Sequence, residues 1–253
     1  MKKIALILSL LAFSLQAFAQ TSKSKTEKAV TSATPAKTPL IKTNSTPIEL
    51  ARAAVTAHGG DKFKQAKSIK QIGSADVTLP NSTQSLTVSY LVIMAGEKFR
   101  FEINSPFANF QQIYDGENLY SSIGSSDIPP LSKLGMSLLT KIDEKGYKVE
   151  ALPNKKKWRG FRIATPDGYA TDFYIDSTTA QVMNYEAKFN VKGREVSTAV
   201  EHDKFKEVDG IVVPEKFSQR FDLSGNTFYA SFKAKEILVN TAIADSVFVI
   251  PQQ

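Results

Sequence analysis

From Ile69 onward, apolar and polar residues alternate along much of the chain, and this period of two constrains the fold most strongly. The alternation is clearest in the segments 99–103, 183–191, 217–223 and 228–235. Successive side chains of a strand point to opposite faces, so each segment is predicted to be an antiparallel strand with one buried and one wet face. Gly-containing turns separate these segments, and we predict a mainly β (α+β) domain with one curved sheet of roughly ten to eleven strands.

Two helices are predicted beside this sheet. Thr46, Pro47 and Glu49 form a capping box with a proline start, and Gly59-Gly60 follows as a C-terminal stop. A second helix is predicted after Pro129-Pro130, because apolar residues then recur on one helical face: Leu131, Leu134, Leu138, Leu139 and Ile142. Both helices are available to cover the concave side of the sheet.

The N-terminal segment has the features of a secretory signal peptide. Lys2 and Lys3 precede an apolar run over 4–15, and Ala17-Phe18-Ala19 is a small-x-small cleavage site. The run is shorter than the about 20 residues that a membrane-spanning helix needs. We therefore predict a signal peptide over 1–19, cleaved after Ala19, a disordered Lys/Thr/Ser-rich leader over 20–46, and a single domain over 47–253.

Charge and cysteine content exclude several classes of protein. Seven of the 32 basic residues and one of the 25 acidic residues precede Pro47, so 25 basic and 24 acidic residues remain. A nucleic-acid-binding domain keeps its positive excess in the folded part, so no nucleic-acid partner is predicted. The chain has no Cys, which excludes disulfides and lipid attachment through an N-terminal cysteine. With two His and no Cys, no metal site is predicted, and no cofactor either.

Catalytic signatures are absent from the sequence, and its acid–histidine and basic clusters are interpreted as structural. His58 is predicted to interact with a helix C-terminus. Glu201 and Asp203 are expected on the opposite strand face from His202, within a solvated hairpin end. The basic run 155–159 either contacts anionic lipid or an acidic partner or, as we favour, forms a charged hairpin loop. No catalytic residue is predicted, and the protein is predicted not to be an enzyme.

The informative feature is apolar. Of the 16 Phe residues, 14 follow the signal segment, and seven lie on the predicted buried face of strands: Phe99, Phe101, Phe189, Phe217, Phe221, Phe228 and Phe232. A small closed barrel fills itself with such side chains, whereas an incompletely covered sheet can leave a cavity lined by aromatic rings. Periodicity alone favours the packed core, and both alternatives remain open at this point.

Several segments together resemble the LolA/LolB-like superfamily of lipoprotein-sorting and lipid-binding proteins. The segments are 57–60 with the strand after it, the Asp-Gly hairpin of 114–120, the turn of 174–179, the strand start of 208–214 and the C-terminal ending of 240–251. The resemblance covers nearly all of 47–253. It implies an unclosed antiparallel β-barrel whose helices cover a hydrophobic cavity.

The resemblance also implies a function, namely a periplasmic, non-enzymatic carrier of lipid or lipoprotein acyl chains that acts as a chaperone in outer membrane biogenesis. The missing lipid-attachment cysteine matches the soluble carrier type, and we expect a monomer. The alternative is a periplasmic interaction or envelope-stress-sensing module, with envelope membrane proteins as partners. The residues expected to line the cavity are Phe99, Phe101, Leu134, Leu138, Tyr185, Phe189, Phe217, Phe221, Phe228 and Phe232.

Overall fold

The computed structural model describes residues 41–78, 84–105, 109–122, 133–191, 194–223 and 226–252. The predicted signal peptide, and the predicted leader up to residue 40, lie outside the described residues. The rest of that leader, 41–46, is described and contacts the domain. Arg159 donates hydrogen bonds to the backbone carbonyls of Lys42 and Thr43 at 3.1 and 3.0 Å. Contacts with the domain therefore begin before Pro47, the boundary taken from the sequence.

Helix α1 (Pro47–Ala57) begins as its sequence predicts. The Glu49 carboxylate accepts hydrogen bonds from the backbone N–H and the hydroxyl of Thr46, at 2.7 and 3.0 Å. Leu50, Ala51, Ala54 and Val55 are buried on one helical face. Gly59 and Gly60 have positive φ values of 119° and 59°, which reverse the chain into the short helix α2 (Asp61–Lys64).

The remaining described elements are twelve strands and two short 3₁₀ helices. The strands are β1 (Ile69–Thr78), β2 (Ser85–Ala95), β3 (Lys98–Asn104), β4 (Asn109–Tyr114), β5 (Leu119–Ser121), β6 (Lys148–Ala151), β7 (Trp158–Ala164), β8 (Ala170–Asp176), β9 (Val182–Val191), β10 (Arg194–Val208), β11 (Ile211–Leu223) and β12 (Asn226–Val239). The 3₁₀ helices are η1 (Gly135–Lys141) and η2 (Asp245–Phe248). None of the described helices is long and apolar enough to span a membrane.

All twelve strands form one antiparallel sheet that does not close. Their order is β5-β4-β3-β2-β1-β12-β11-β10-β9-β8-β7-β6, so the first and last strands of the chain's long meander are brought together through the β1–β12 pair. Strands β5 and β6 are the two free edges. The architecture confirms the predicted unclosed antiparallel barrel, with slightly more strands than the sequence indicated. Strands β5 and β6 have three and four residues, too few to show alternation.

The helices cover one face of the sheet, called here the inner face. Helix α1 packs on β6 and β7, and η1 contacts β8 and β9. The largest buried cluster lies in this half of the barrel, including Leu138, Leu139, Phe161 and Phe173. The opposite, outer face is polar over β10–β12, but β2–β4 bury Ile93 and Ile113 there against Phe248 of the C-terminal segment.

The central helix differs from its prediction. An α-helix was predicted from Leu131 to Ile142, whereas the described residues form a 3₁₀ helix over Gly135–Lys141. Leu134 is extended, and Gly135 has a φ of 61°, in the left-handed region. A regular right-handed helix cannot pass through these two conformations, so helical structure begins only after them. Leu131 itself lies outside the described residues.

Candidate functional site

The antiparallel register aligns a row of apolar side chains across the inner face. Phe217 of β11 lies opposite Phe232 of β12, and Phe221 lies opposite Phe228. Phe232 in turn lies opposite Ala75 of β1, which lies opposite Val88 of β2. Side chains of one face alternate with those of the other along each strand, so these registers place one continuous apolar surface on the inner face.

The structure brings all ten residues predicted from the sequence to this inner face. Five are buried to 6% exposure or less and belong to the covered part of the barrel: Phe99, Leu134, Leu138, Phe189 and Phe232. The other five are only partly buried: Phe101, Tyr185, Phe217, Phe221 and Phe228. Their placement on one face agrees with the alternation of the sequence. Contact with a ligand stays a prediction for all ten.

Ring contacts join these side chains into one aromatic surface. The rings of Phe217 and Phe232 are stacked with centroids 4.6 Å apart. Phe99 and Phe101 are 6.5 Å apart, and Phe101 meets Phe110 edge to face at 5.7 Å. Offset and edge-to-face pairs of this kind stabilise the surface beyond the area they bury. The partly exposed rings form a trough on the half of the inner face that α1 and η1 do not cover.

Helix η1 reaches this trough through two residues at its beginning. Leu134 packs with Ala187, Phe189 and Val196, and Phe221 is partly buried against them. Gly135 lies so close to Tyr185 that a Cβ atom there would come within 2.8 Å of the ring. The absence of a side chain at Gly135 therefore allows η1 to lie directly on β9.

Tyr90 belongs to the same surface, although its role was missed in the sequence. Its ring lies over Gly73 and meets Phe232 edge to face at 5.1 Å. Strand β2 does not alternate clearly, because Leu91 and Ile93 of its outer face are covered by the C-terminal segment. The signal that could have identified Tyr90 is its spacing from Val88 and Val92, two residues away on either side.

A polar cleft of about 340 Å³ lies beside η1, where hairpins from the two ends of the open sheet approach each other. Lys141 of η1 pairs with Glu97 of the β2–β3 turn. Lys133 pairs with Asp167 of the β7–β8 turn at 2.6 Å, and this hydrogen bond raises the pKa of Lys133. Two ion pairs thus connect the η1 segment to both halves of the barrel. The cleft is also lined by Tyr114, Gly116, Tyr147, Thr165 and Pro166.

His58 is buried and neutral, which corrects its predicted role beside the helix C-terminus. Its Nδ1 donates to the Val212 carbonyl at 2.7 Å, and its Nε2 accepts from the Val182 N–H at 3.1 Å. Burial lowers the pKa of His58 to about 4, despite the hydrogen bond to Val212. An uncharged ring gains little from a helix dipole, so His58 acts instead as a hydrogen-bonding link from α1 to β9 and β11.

His202 is placed on the opposite face from the exposed Glu201 and Asp203, as predicted, but it does not belong to a solvated hairpin end. It is 3% exposed, and its Nδ1 donates to the Val182 carbonyl at 2.7 Å. Burial lowers its pKa to about 4 as well. The carboxylates point away from the ring, and the imidazole is engaged by the backbone. The cluster therefore has a structural arrangement and lacks the geometry of an acid–base site.

The basic run 155–159 forms the β6–β7 turn and the start of β7, as expected of a charged hairpin loop. Lys155 pairs with Glu186 at 2.6 Å and lies over the Tyr174 ring at 4.0 Å. Arg159 is occupied by the backbone carbonyls described above. Within the described part of the chain, no cluster of three or more His, Cys, Asp or Glu side chains is arranged to hold a metal ion.

Comparison with known proteins supports the architecture. The structure is similar to that of a LolA superfamily protein from Nitrosomonas europaea, with a TM-score of 0.51 and 13% identity, over 79% of this chain and 97% of that chain. It is also similar to a DUF1329 family protein from Desulfovibrio piger, with a TM-score of 0.47 and 12% identity over 80% and 95% of the two chains. A domain from Vibrio parahaemolyticus, named for outer membrane lipoprotein sorting, gives a TM-score of 0.47 and 13% identity over 78% and 97%.

No protein-family model matches the sequence, and no curated protein sequence matches it. The likeness therefore rests on the arrangement of the open antiparallel sheet and its covering helices. The chain has the LolA-like fold.

Proposed function

We propose that this protein is a periplasmic, non-enzymatic carrier that binds the acyl chains of lipid or lipoprotein in the trough of the inner face. The observation that carries the proposal is the row of partly exposed aromatic side chains, including Phe101, Phe217, Phe221 and Phe228, beside the covered half of the barrel. Contiguous apolar surface that remains accessible is characteristic of a binding site. The LolA-like fold and the predicted signal peptide support the same function.

An acyl chain is the ligand whose chemistry matches this trough. Each CH₂ group removed from water contributes about 0.8 kcal/mol, so several methylene groups laid on aromatic rings give substantial affinity without any charged partner. The side chains that line the uncovered half are aromatic and aliphatic, and they need no fixed ligand geometry. Because this half of the barrel is incompletely covered, the bound chain keeps a route of release, which a carrier requires.

The proposal is tested by placing a charge on either face of one strand. Phe228 and Tyr229 are neighbours in β12, but Phe228 faces the trough and Tyr229 is 54% exposed on the outer face. Phe228→Glu is expected to weaken binding of a fluorescent fatty acid at least tenfold, while Tyr229→Glu leaves it unchanged. Circular dichroism of both variants verifies the fold. Equal affinities of the two variants would contradict a binding site on the inner face.

A second measurement addresses the ligand directly. Native mass spectrometry of the protein purified from its own cell envelope is expected to show masses of bound acyl species. The same preparation of Phe228→Glu is expected to lose them. A wild-type protein that carries no lipid, and that also fails to bind the fluorescent fatty acid, would favour an interaction module that shares the fold without the carrier function.

A further inference from the structure

Tyr90 brings a polar group to the apolar floor of the inner face. The residue is 1% exposed, and its ring spans from β2 across β1 toward β12. Gly73 makes this position possible, since a Cβ atom there would lie 2.7 Å from the Tyr90 ring. The ring packs with Ala75, Val88 and Phe232. The hydroxyl therefore lies among apolar side chains.

The hydroxyl of Tyr90 has no hydrogen-bond partner among the described residues, and its oxygen is sealed from solvent. Buried polar groups in native proteins are nearly always paired, and an unpaired one calls for a physical reason. Other polar side chains of the inner face are paired: Gln71 donates to the Pro214 carbonyl at 2.9 Å, and Gln219 donates to the Thr198 hydroxyl at 2.9 Å.

We propose that the Tyr90 hydroxyl is the polar anchor of the trough and donates a hydrogen bond to the carbonyl oxygen that links an acyl chain to its headgroup. This inference rests on the proposed acyl-binding function and specifies the ligand: an acyl ester or amide, as distinct from a plain hydrocarbon. Burial raises the pKa of Tyr90 to about 12, so the phenol keeps its proton at neutral pH. A protonated phenol donates to a carbonyl oxygen, which can only accept.

The surroundings of Tyr90 allow such a ligand to reach the hydroxyl. Val92, Phe101 and Phe217 pack against its cluster but remain partly exposed. A chain that lies along these side chains places its methylene groups on the rings and its terminal carbonyl toward the floor. The hydroxyl is unpaired in the absence of a ligand, so the carbonyl adds a hydrogen bond without displacing an existing one.

The test uses a matched pair of ligands, 1-palmitoylglycerol and 1-hexadecylglycerol, which have the same chain length but carry an ester and an ether. Wild-type protein is expected to bind the ester about tenfold more tightly, the difference that one buried hydrogen bond makes. Tyr90→Phe should bind the two lipids equally, with its affinity for the ether unchanged. Tyr229→Phe, at an exposed tyrosine on the outer face, serves as the control and keeps the ester preference.

Thermal unfolding separates a ligand contact from a structural role. Tyr90→Phe removes an unpaired hydroxyl, so the ligand-free thermal midpoint should be unchanged or higher. A lowered midpoint would mean that the hydroxyl stabilises the free protein, which would overturn the inference. Independently of any variant, the infrared carbonyl band of ¹³C-labelled 1-palmitoylglycerol should shift to lower frequency on binding to wild-type protein. An unshifted band would also overturn it.

The outcomes distinguish this inference from the proposed function. Equal binding of ester and ether by wild-type protein overturns the role of Tyr90 but leaves the acyl site intact. Binding of neither lipid overturns the carrier function and the inference with it. Phosphatidylglycerol and a triacylated Cys-Ser-Lys peptide identify the source of the carbonyl, because Tyr90→Phe should weaken binding of whichever one the site accepts. An effect on neither would again overturn the inference.

Discussion

Acidification is expected to destabilise the domain through its two buried histidines. His58 links α1 to β9 and β11, and His202 binds the same residue of β9 from the other side: the Val182 N–H donates to His58, and the Val182 carbonyl accepts from His202. Both rings are neutral, with a pKa of about 4 compared with an ordinary value of 6.5. Protonation of His58 would remove the acceptor of the Val182 N–H and place a charge in the core.

The sign and the size of the effect follow from proton linkage. Below pH 6.5 the unfolded chain takes up protons on both imidazoles while the folded chain does not, so the free energy of unfolding falls as the pH decreases toward 4. One pKa unit corresponds to about 1.4 kcal/mol, so each histidine is expected to remove about 3 kcal/mol over this window. A domain of this size is stable by about 5 to 15 kcal/mol, so acidification removes a large share of its stability.

Urea unfolding, followed by the fluorescence of the single Trp, measures this effect between pH 7 and pH 4.5. The chain has two His, so titration in this window reports on His58 and His202. His58→Gln is expected to be less stable than wild type at pH 7, because it loses buried hydrogen bonds, but to show a shallower decrease on acidification. A wild-type free energy of unfolding that stays constant to pH 4.5 would refute the neutral, buried assignment. An equal slope in His58→Gln would show that another group is responsible.

Three further predictions concern the trough, the end of α1 and the processing of the chain. Phe221→Glu should retain the fold by circular dichroism and bind a fluorescent fatty acid more weakly; loss of folding would mean that Phe221 belongs to a sealed core. Gly59→Ala should lower the free energy of unfolding by roughly 1 to 3 kcal/mol, measured in urea, because of its φ of 119° and a Cβ position 2.5 Å from the Gly210 carbonyl oxygen. Gly96→Ala, with open space around it, should cost less, and equal losses would rule out the steric explanation. N-terminal sequencing of the exported protein should begin at Gln20, and an intact signal segment would contradict the predicted cleavage.

Much of the inner face could be predicted from the sequence because strand alternation is a local property. Phe217, Phe221, Phe228 and Phe232 lie at even spacings within their strands, and wherever one of them faces inward the others of its strand must do so too. The start of α1 was predictable for the same reason, since Thr46 and Glu49 interact within one helical turn.

Other features depend on contacts between distant parts of the chain. Tyr90 was missed because the C-terminal segment covers the outer face of β2, which makes both faces of that strand apolar and hides its period of two. The link from His58 through Val182 to His202 joins residues more than a hundred positions apart. Which aromatic rings are sealed and which remain accessible is decided by where α1 and η1 lie on the sheet. Alternation determined the side of the sheet for each ring, and only tertiary packing determined which rings are left to meet a ligand, because burial depends on what covers a surface.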